Sequence, residues 1–353
     1  MSHLLELDNV SKVFGGGFLN RGPKTVALDG VSLTIEDGSS SINALAGESG
    51  SGKTTLARLL LGFVTPTEGA VRYRGRDLRE MTKQENYQFR REVQPIFQDP
   101  FGVFNPFYRV DHMMWTPIKR FDLVESDKQG RKLIEEALEV VGLRPHETLG
   151  RFPHQLSGGQ RQRIMVARSL LLNPRIIVAD EPVSMVDASL RATILETLRT
   201  LNEEFGIVLV YITHDLTTAY QICDNVMVLY KGNVAEAGVV DRVIRNPQHP
   251  YTQLLMSSTP LPDPSKRWGE FVVDAVEDPE ADPSRDNHGC LFADRCPDEL
   301  AHCRDSPPAL YRINPDRAAA CYLHEEHPAL ESADVAEVFT DAHQRVEASE
   351  EPA

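Results

Sequence analysis

Residues 47–54 of this 353-residue chain read Gly-Glu-Ser-Gly-Ser-Gly-Lys-Thr, which fits the pattern G-x-x-x-x-G-K-[ST]. The apolar run 42–46 (INALA) leads into it, and the helix-forming stretch TTLARLLLGF leads out. A buried strand, a glycine-rich turn and a helix start in that order point to an α/β layered fold. The glycines let backbone N–H groups turn inward at the positive end of a helix dipole, which makes a cradle for phosphates. Lys53 can reach a β- or γ-phosphate there, and the Thr54 hydroxyl can bind Mg²⁺. A chance glycine turn would lack both flanking elements.

The rest of the chain supplies what such a loop needs. Residues 176–181 (IIVADE) read as a buried strand whose end delivers two carboxylates to the ligand crevice of an open α/β sheet. Asp180 is suited to hold Mg²⁺ and Glu181 to polarise an attacking water. The runs RIIVAD and GIVLVYITHD carry apolar residues on both faces, as central parallel strands do. Residues 4–10 and 25–35 alternate apolar and polar residues like antiparallel strands, with the Gly15–Gly17 and Asn20–Pro23 stretches between them. Helical spacing runs through 125–172. Leu156-Ser157-Gly158-Gly159-Gln160 opens one of those helices. Ser157 reads as an N-cap, and the helix start reads equally as a second anion site, able to meet the γ-phosphate of a nucleotide held by another subunit. Composition does not choose between the two.

Taken together, loop 47–54, Gln98 in IFQDP, LSGGQ at 156–160, VADE at 178–181, SMVD at 184–187 and ITHD at 212–215 resemble the ATP-binding subunit of an ABC transporter over about residues 4–258. The resemblance implies an α/β fold: a P-loop nucleotide-binding domain with a RecA-like core, an antiparallel β subdomain and an α-helical subdomain at about 85–165. It implies ATP and Mg²⁺ as cofactors. Nucleotide would be held by Gly47, Glu48, Ser49, Gly50, Ser51, Gly52, Lys53, Thr54, Thr55 and Gln98, and Mg²⁺ by Thr54, Gln98 and Asp180. The signature Leu156–Gln160 would close over ATP held by a partner, in a head-to-tail dimer with two sandwiched nucleotides. Phe14 would stack on adenine, or else is a strand core residue. His214, otherwise a lone histidine at a strand end, would join Glu181 in catalysis, while Ser184 and Asp187 would form the loop that couples the two sites. The sequence Ser-Met-Val-Asp departs from the commoner Ser-Ala-Leu-Asp, which implies altered packing with hydrolysis retained.

The phrases IFQDPFGVFNP (96–106) and NPQHPYTQLL (246–255) resemble the oligopeptide and dipeptide importer branch. His249-Pro250-Tyr251 reads physically as a turn into a helix and serves as a family marker. Composition shifts after residue 258, where STPLPDPSKRW reads as a linker. The extension 259–328 holds Cys290, Cys296, Cys303 and Cys321, spaced C-x₅-C-x₆-C-x₁₇-C. Four thiolates suit a zinc ion or a [4Fe–4S] cluster, and reduced free thiols are the third reading. Similar patterns in this importer branch are associated with [4Fe–4S] clusters. Cys223 reads as a core residue, and the acidic tail 329–353 as a solvated, flexible end.

Composition narrows the function. With 37 Lys+Arg against 52 Asp+Glu the formal charge is −15, unlike that of a chain that grips nucleic acid through its net charge. No run approaches the ~18 apolar residues of a membrane span, and the start lacks a signal-peptide pattern. The expectation is a peripheral protein on the cytoplasmic face of the membrane. By its resemblance to the peptide-importer branch it would energise an importer, most simply of oligopeptides or dipeptides, made with two permease subunits, a second and similar ATPase (a heterodimer rather than a homodimer) and an extracytoplasmic binding protein. Import of an oligosaccharide or another solute is the alternative within the transport class. A soluble ABC ATPase acting on ribosomes or DNA is the rival outside it, and the single phosphate loop counts against that rival.

Overall fold

The structure, a computed structural model, describes residues 3–15, 24–258, 288–332 and 334–340. The expected loop around 16–23, the linker at 259–287 and the tail beyond 340 lie outside the described residues. In chain order the strands are β1 His3–Phe14, β2 Thr25–Glu36, β3 Ile42–Ala46, β4 Glu68–Tyr73, β5 Arg76–Asp77, β6 Val93–Ile96, β7 Ile176–Asp180, β8 Val208–Ile212, β9 Asn225–Tyr230, β10 Asn233–Val239, β11 Tyr311–Asn314 and β12 Arg317–Ala319. The α-helices are α1 Lys53–Leu60, α2 Lys83–Glu92, α3 Val110–Arg120, α4 Asp127–Val140, α5 Pro145–Thr148, α6 Gly158–Leu170, α7 Ala188–Phe205, α8 Leu216–Ile222, α9 Val240–Arg245 and α10 Pro250–Ser257.

The large sheet has the order β11-β12-β10-β9-β3-β8-β7-β6, and its members from β9 to β6 run parallel. Its apolar runs are explained by period-two burial on both faces. In β7, Ile176 and Val178 enter one core while Ile177 and Ala179 enter the other. In β8, Val208, Val210 and Ile212 face the first core, and Leu209 and Tyr211 the second. The first core is closed by α1 and by the antiparallel sheet β2-β1-β4-β5. The second is closed by α3, α4, α6 and α7. The antiparallel pairing of 4–10 with 25–35, the buried strand 42–46 and the helices after residue 125 all stand as the patterning predicts.

Two expectations change. The helical subdomain does not start near 85, because β6 at 93–96 buries Val93 and Ile96 and pairs with β7 in the large sheet; the helical insertion begins after it, at α3. The cysteine-bearing extension joins the large sheet: β12 pairs antiparallel with β10, so that Ala318 and Ala319 are fully buried. The tail is not solvated from residue 329. Val335 and Val338 are buried against β2 and β10. Asp334 accepts from the Thr34 N–H at 3.2 Å and from its hydroxyl. Fully buried Asn225 exchanges two 3.0 Å hydrogen bonds with the backbone of Thr340. The acidic composition of 329–353 conceals these few apolar anchors.

Candidate active site

Neighbouring strands β3, β8, β7 and β6 end on one edge of the large sheet, the place where open α/β sheets take ligands. Beyond β3 comes the phosphate loop, beyond β8 His214, at the end of β7 Asp180 and Glu181, and beyond β6 Gln98. Gly47 and Gly52, at the two ends of the loop, have φ of +141° and +109°. A Cβ at Gly47 would collide with the carbonyl of Leu229, and one at Gly52 would lie 2.5 Å from that of Ala27. Both positions therefore require glycine. Ser51 is buried within the loop, while Ser49 and Gly50 are exposed.

The Lys53 ammonium, buried at the start of α1, donates to the carbonyls of Gly47 and Glu48 at 2.7 Å each. Burial lowers its pKa, and the charges of Glu181, Asp180 and Glu48 oppose that shift. Asp180 is shifted upward, chiefly by burial and then by the adjacent Glu181, with Arg58 and Lys53 opposing. Cation and carboxylates thus share one electrostatic neighbourhood. Thr54, exposed, and Thr55, half-buried, follow in the first turn of α1. The oxygen donors of Thr54, Asp180 and Gln98 are of the kind Mg²⁺ takes.

Glu181 is held on every side. Its carboxylate accepts from Gln98 Nε2 at 3.0 Å and lies 3.0 Å from His214 Nδ1. Its N–H donates to the Ile212 carbonyl at 3.0 Å, and its carbonyl accepts from the Ser184 hydroxyl at 3.0 Å. The backbone there has φ +43°, a region that non-glycine residues seldom occupy. Phe14, at the end of β1, is 42% exposed with Lys12 Nζ 5.1 Å from its ring centre, so it is not a strand core residue. Cys223, by contrast, is buried at 4% exposure, and burial drives its thiol pKa up.

The signature forms a second group. Ser157 caps α6, accepting from the Gln160 N–H at 3.2 Å, and the Gln160 side chain accepts from the Ser157 N–H at 3.0 Å. Leu156 is buried, Ser157 is exposed and Gly159 packs against Leu190. Gly158 faces the Met185 carbonyl and the Phe101 ring. In the departing Ser-Met-Val-Asp loop the Met185 side chain is exposed and Val186 is buried. Asp187, exposed, occupies the N-cap position of α7 without a side-chain cap bond. A single chain thus brings together loop 47–54, Gln98, Asp180, Glu181 and His214, while the signature glycines pack against Met185, Leu190 and Phe101.

Two residues outside the predicted nucleotide site also touch the phosphate loop. Tyr251 Oη accepts from the Glu48 N–H at 2.8 Å, and the Arg295 guanidinium holds the Glu48 carboxylate through two 3.1 Å hydrogen bonds. The His-Pro-Tyr motif marked the first of these only as a turn; no spacing rule marks the second.

The four C-terminal cysteines gather, and none of them is joined in a disulfide. Burial first, and then the neighbouring thiols, push Cys296 to about 11 and Cys321 to about 12. Cys290 is raised by burial and by Cys303. Among the described residues no three His, Cys, Asp or Glu are arranged to hold a metal ion. A structural zinc ion and an iron–sulfur cluster each take four thiolates, so the chemistry of the donor set suits either group.

Comparison with known proteins agrees with the geometry. The ABC transporter family profile matches residues 28–184, and the profile of the oligopeptide/dipeptide transporter C-terminal region matches 235–303. The chain is 38% identical to the oligopeptide transport ATP-binding protein OppF of Salmonella typhimurium, over 82% of this chain and 85% of that one. It is 37% identical to the dipeptide transport ATP-binding protein DppF of Haemophilus influenzae, over 87% and 91%. Among solved structures, a dimeric ATP-binding cassette in a post-hydrolysis state bound to ADP and Pi superposes with a TM-score of 0.59 at 30% identity, covering 67% of this chain and 98% of that one. The chain is an ATPase that belongs to the ABC transporter family, in its oligopeptide/dipeptide branch.

Proposed function

We propose that this chain hydrolyses ATP to energise a multi-subunit importer of oligopeptides or dipeptides, working at the cytoplasmic face of the membrane. The observation that carries the reading is the convergence of Gln98, Glu181 and His214, within 3.0 Å contacts, beside Lys53 and Asp180 at the strand ends. In this reading the loop N–H groups and Lys53 bind the phosphates, and Phe14 stacks on the base. Thr54, Asp180 and Gln98 hold Mg²⁺, which when bound neutralises charge on the phosphate oxygens. Glu181 takes the proton of a water in line with the γ-phosphate, and His214 orients that water. Hydrolysis needs no covalent intermediate with the protein.

Completion of the site falls to a partner. The exposed Ser157 and the start of α6 reach ATP held by a second ATPase subunit, and Ser184 and Asp187 couple the two sites. We take that second subunit to be a similar but distinct chain. Among the described residues no helix is long and apolar enough to cross a membrane, so the translocation path belongs to permease subunits, two of them, fed by an extracytoplasmic binding protein. The gathered Cys290, Cys296, Cys303 and Cys321 are proposed to take a [4Fe–4S] cluster; iron and sulfide analysis of anaerobically purified chain checks this, and zinc or metal-free thiols would refute it.

The test of the transport role is a mild-detergent pull-down of the tagged chain from native membranes, with mass spectrometry of every co-purifying protein. Two multi-span proteins and a second ATPase are expected. Purely soluble, ribosomal or DNA-bound partners would overturn the reading.

A further inference from the structure

Glu48, the first variable residue of the phosphate loop, is fastened through every polar group it has. Its carbonyl accepts from Lys53 at 2.7 Å, its N–H donates to Tyr251 Oη at 2.8 Å, and its carboxylate takes both ends of the Arg295 guanidinium at 3.1 Å. Only the first of these partners belongs to the loop. Tyr251 comes from the His-Pro-Tyr turn and Arg295 from the short turn Ala293–Arg295, one residue before Cys296.

Both partners are themselves built in. Pro250 opens α10 and His249 Nδ1 accepts from the Tyr251 N–H at 3.0 Å, which fixes the turn that aims the tyrosine. Tyr251 is fully buried, its ring centre 4.5 Å from that of Tyr230 and 5.6 Å from that of Phe292. Arg295 lies over the same two rings, 5.9 Å from Tyr230 and 5.6 Å from Phe292. A forked, ring-stacked guanidinium keeps its geometry better than a free surface pair.

From this we propose that the C-terminal extension positions the nucleotide site: Tyr251 and Arg295 act as a clamp on Glu48 that holds the phosphate loop in its ATP-binding shape. The His-Pro-Tyr turn is then a buttress of the loop. Because the Glu48 N–H is committed to Tyr251, residues 49–54 are left to face the phosphates. Arg295 and Tyr251 are positioning residues, and their effect falls on ATP affinity before turnover.

The clamp rests on the reading of residues 47–54 as the ATP site, and one set of measurements separates the two ideas. The dissociation constant for Mg·ATP is measured by calorimetry on the full-length chain, with unfolding midpoints recorded in parallel. Arg295→Met is expected to weaken binding by about five-fold, the upper end for a pair of this exposure, with Arg295→Lys in between because it keeps the charge and loses the fork. Tyr251→Phe, which keeps the buried ring, should weaken binding by a similar factor. In a Glu48→Gln background Arg295→Met should add almost nothing, since both changes break the same pair; a merely structural role for Arg295 would leave its effect undiminished there. Wild-type affinity in Arg295→Met and Tyr251→Phe, or additive effects of Arg295→Met and Glu48→Gln, overturns the clamp alone. A wild-type chain that does not bind Mg·ATP overturns both the clamp and the ATP site.

Discussion

Glu181 combines a left-handed backbone, φ +43°, with a carboxylate fixed between Gln98 and His214. Such backbone strain costs on the order of 1–3 kcal/mol and persists where surroundings over-determine it, here through the Ile212 and Ser184 hydrogen bonds. Replacing the carboxylate with an amide keeps the shape and removes the proposed base. Glu181→Gln should therefore bind Mg·ATP as tightly as wild type and slow single-turnover hydrolysis in the native complex by at least about 100-fold. Wild-type hydrolysis in that variant would exclude Glu181 as the base. At this scale the sequence was informative for Lys53, Asp180 and Glu181, because their chemistry requires fixed neighbours in the chain. It was silent on Arg295, which meets Glu48 across 247 residues of separation and belongs to no spacing pattern.

At the scale of elements, the strands that position the site were legible because both of their faces are apolar; β3, β7 and β8 fall where the runs predict. The short strands β11 and β12 and the 3₁₀ turn Val335–Val338 were not, since a few apolar residues in a polar stretch carry no period. Asp334 illustrates what such a segment contributes. It caps that turn through the Ala336 N–H at 2.9 Å while binding Thr34 on β2. Asp334→Ala should lower unfolding free energy by about 1–3 kcal/mol, read by denaturant titration; no change would return the tail to a solvated role. Beside it in the fold, β10 carries fully buried Glu236, which accepts from the N–H groups of Gln248 and His249 at 3.0–3.1 Å and so fixes the turn ahead of α10. Burial raises the Glu236 pKa from 4.5 to about 7 and lowers that of His249 from 6.5 to about 4. Between pH 4.5 and 7 the folded chain keeps a proton on Glu236 that the unfolded chain has shed. Its stabilising contribution is thus complete below about pH 4.5 and lost as pH rises through 7. His249 acts in the opposite sense, losing its contribution as pH falls from 6.5 through 4. Glu236→Gln removes only the first effect, so its unfolding free energy relative to wild type should improve as pH is raised from 4.5 to 8. A difference that does not vary with pH would contradict the assignment.

Across the whole molecule, one sheet carries both halves of the chain's work. Its parallel part sets the ATP site, and its antiparallel edge is completed by the C-terminal extension, which reaches back to Glu48. The boundary at 258 was drawn from a change in composition, and a composition change does not register that β10 and β12 share hydrogen bonds. The central claim is that ATP hydrolysis at this site drives peptide import. Its most direct test is uptake of a labelled mixture of short peptides by cells lacking the chain and complemented with either wild type or Glu181→Gln. The account predicts that wild type restores ATP-dependent peptide uptake and Glu181→Gln does not, although both assemble with the membrane subunits. Equal uptake with the two chains, or restored uptake confined to an oligosaccharide, would contradict it.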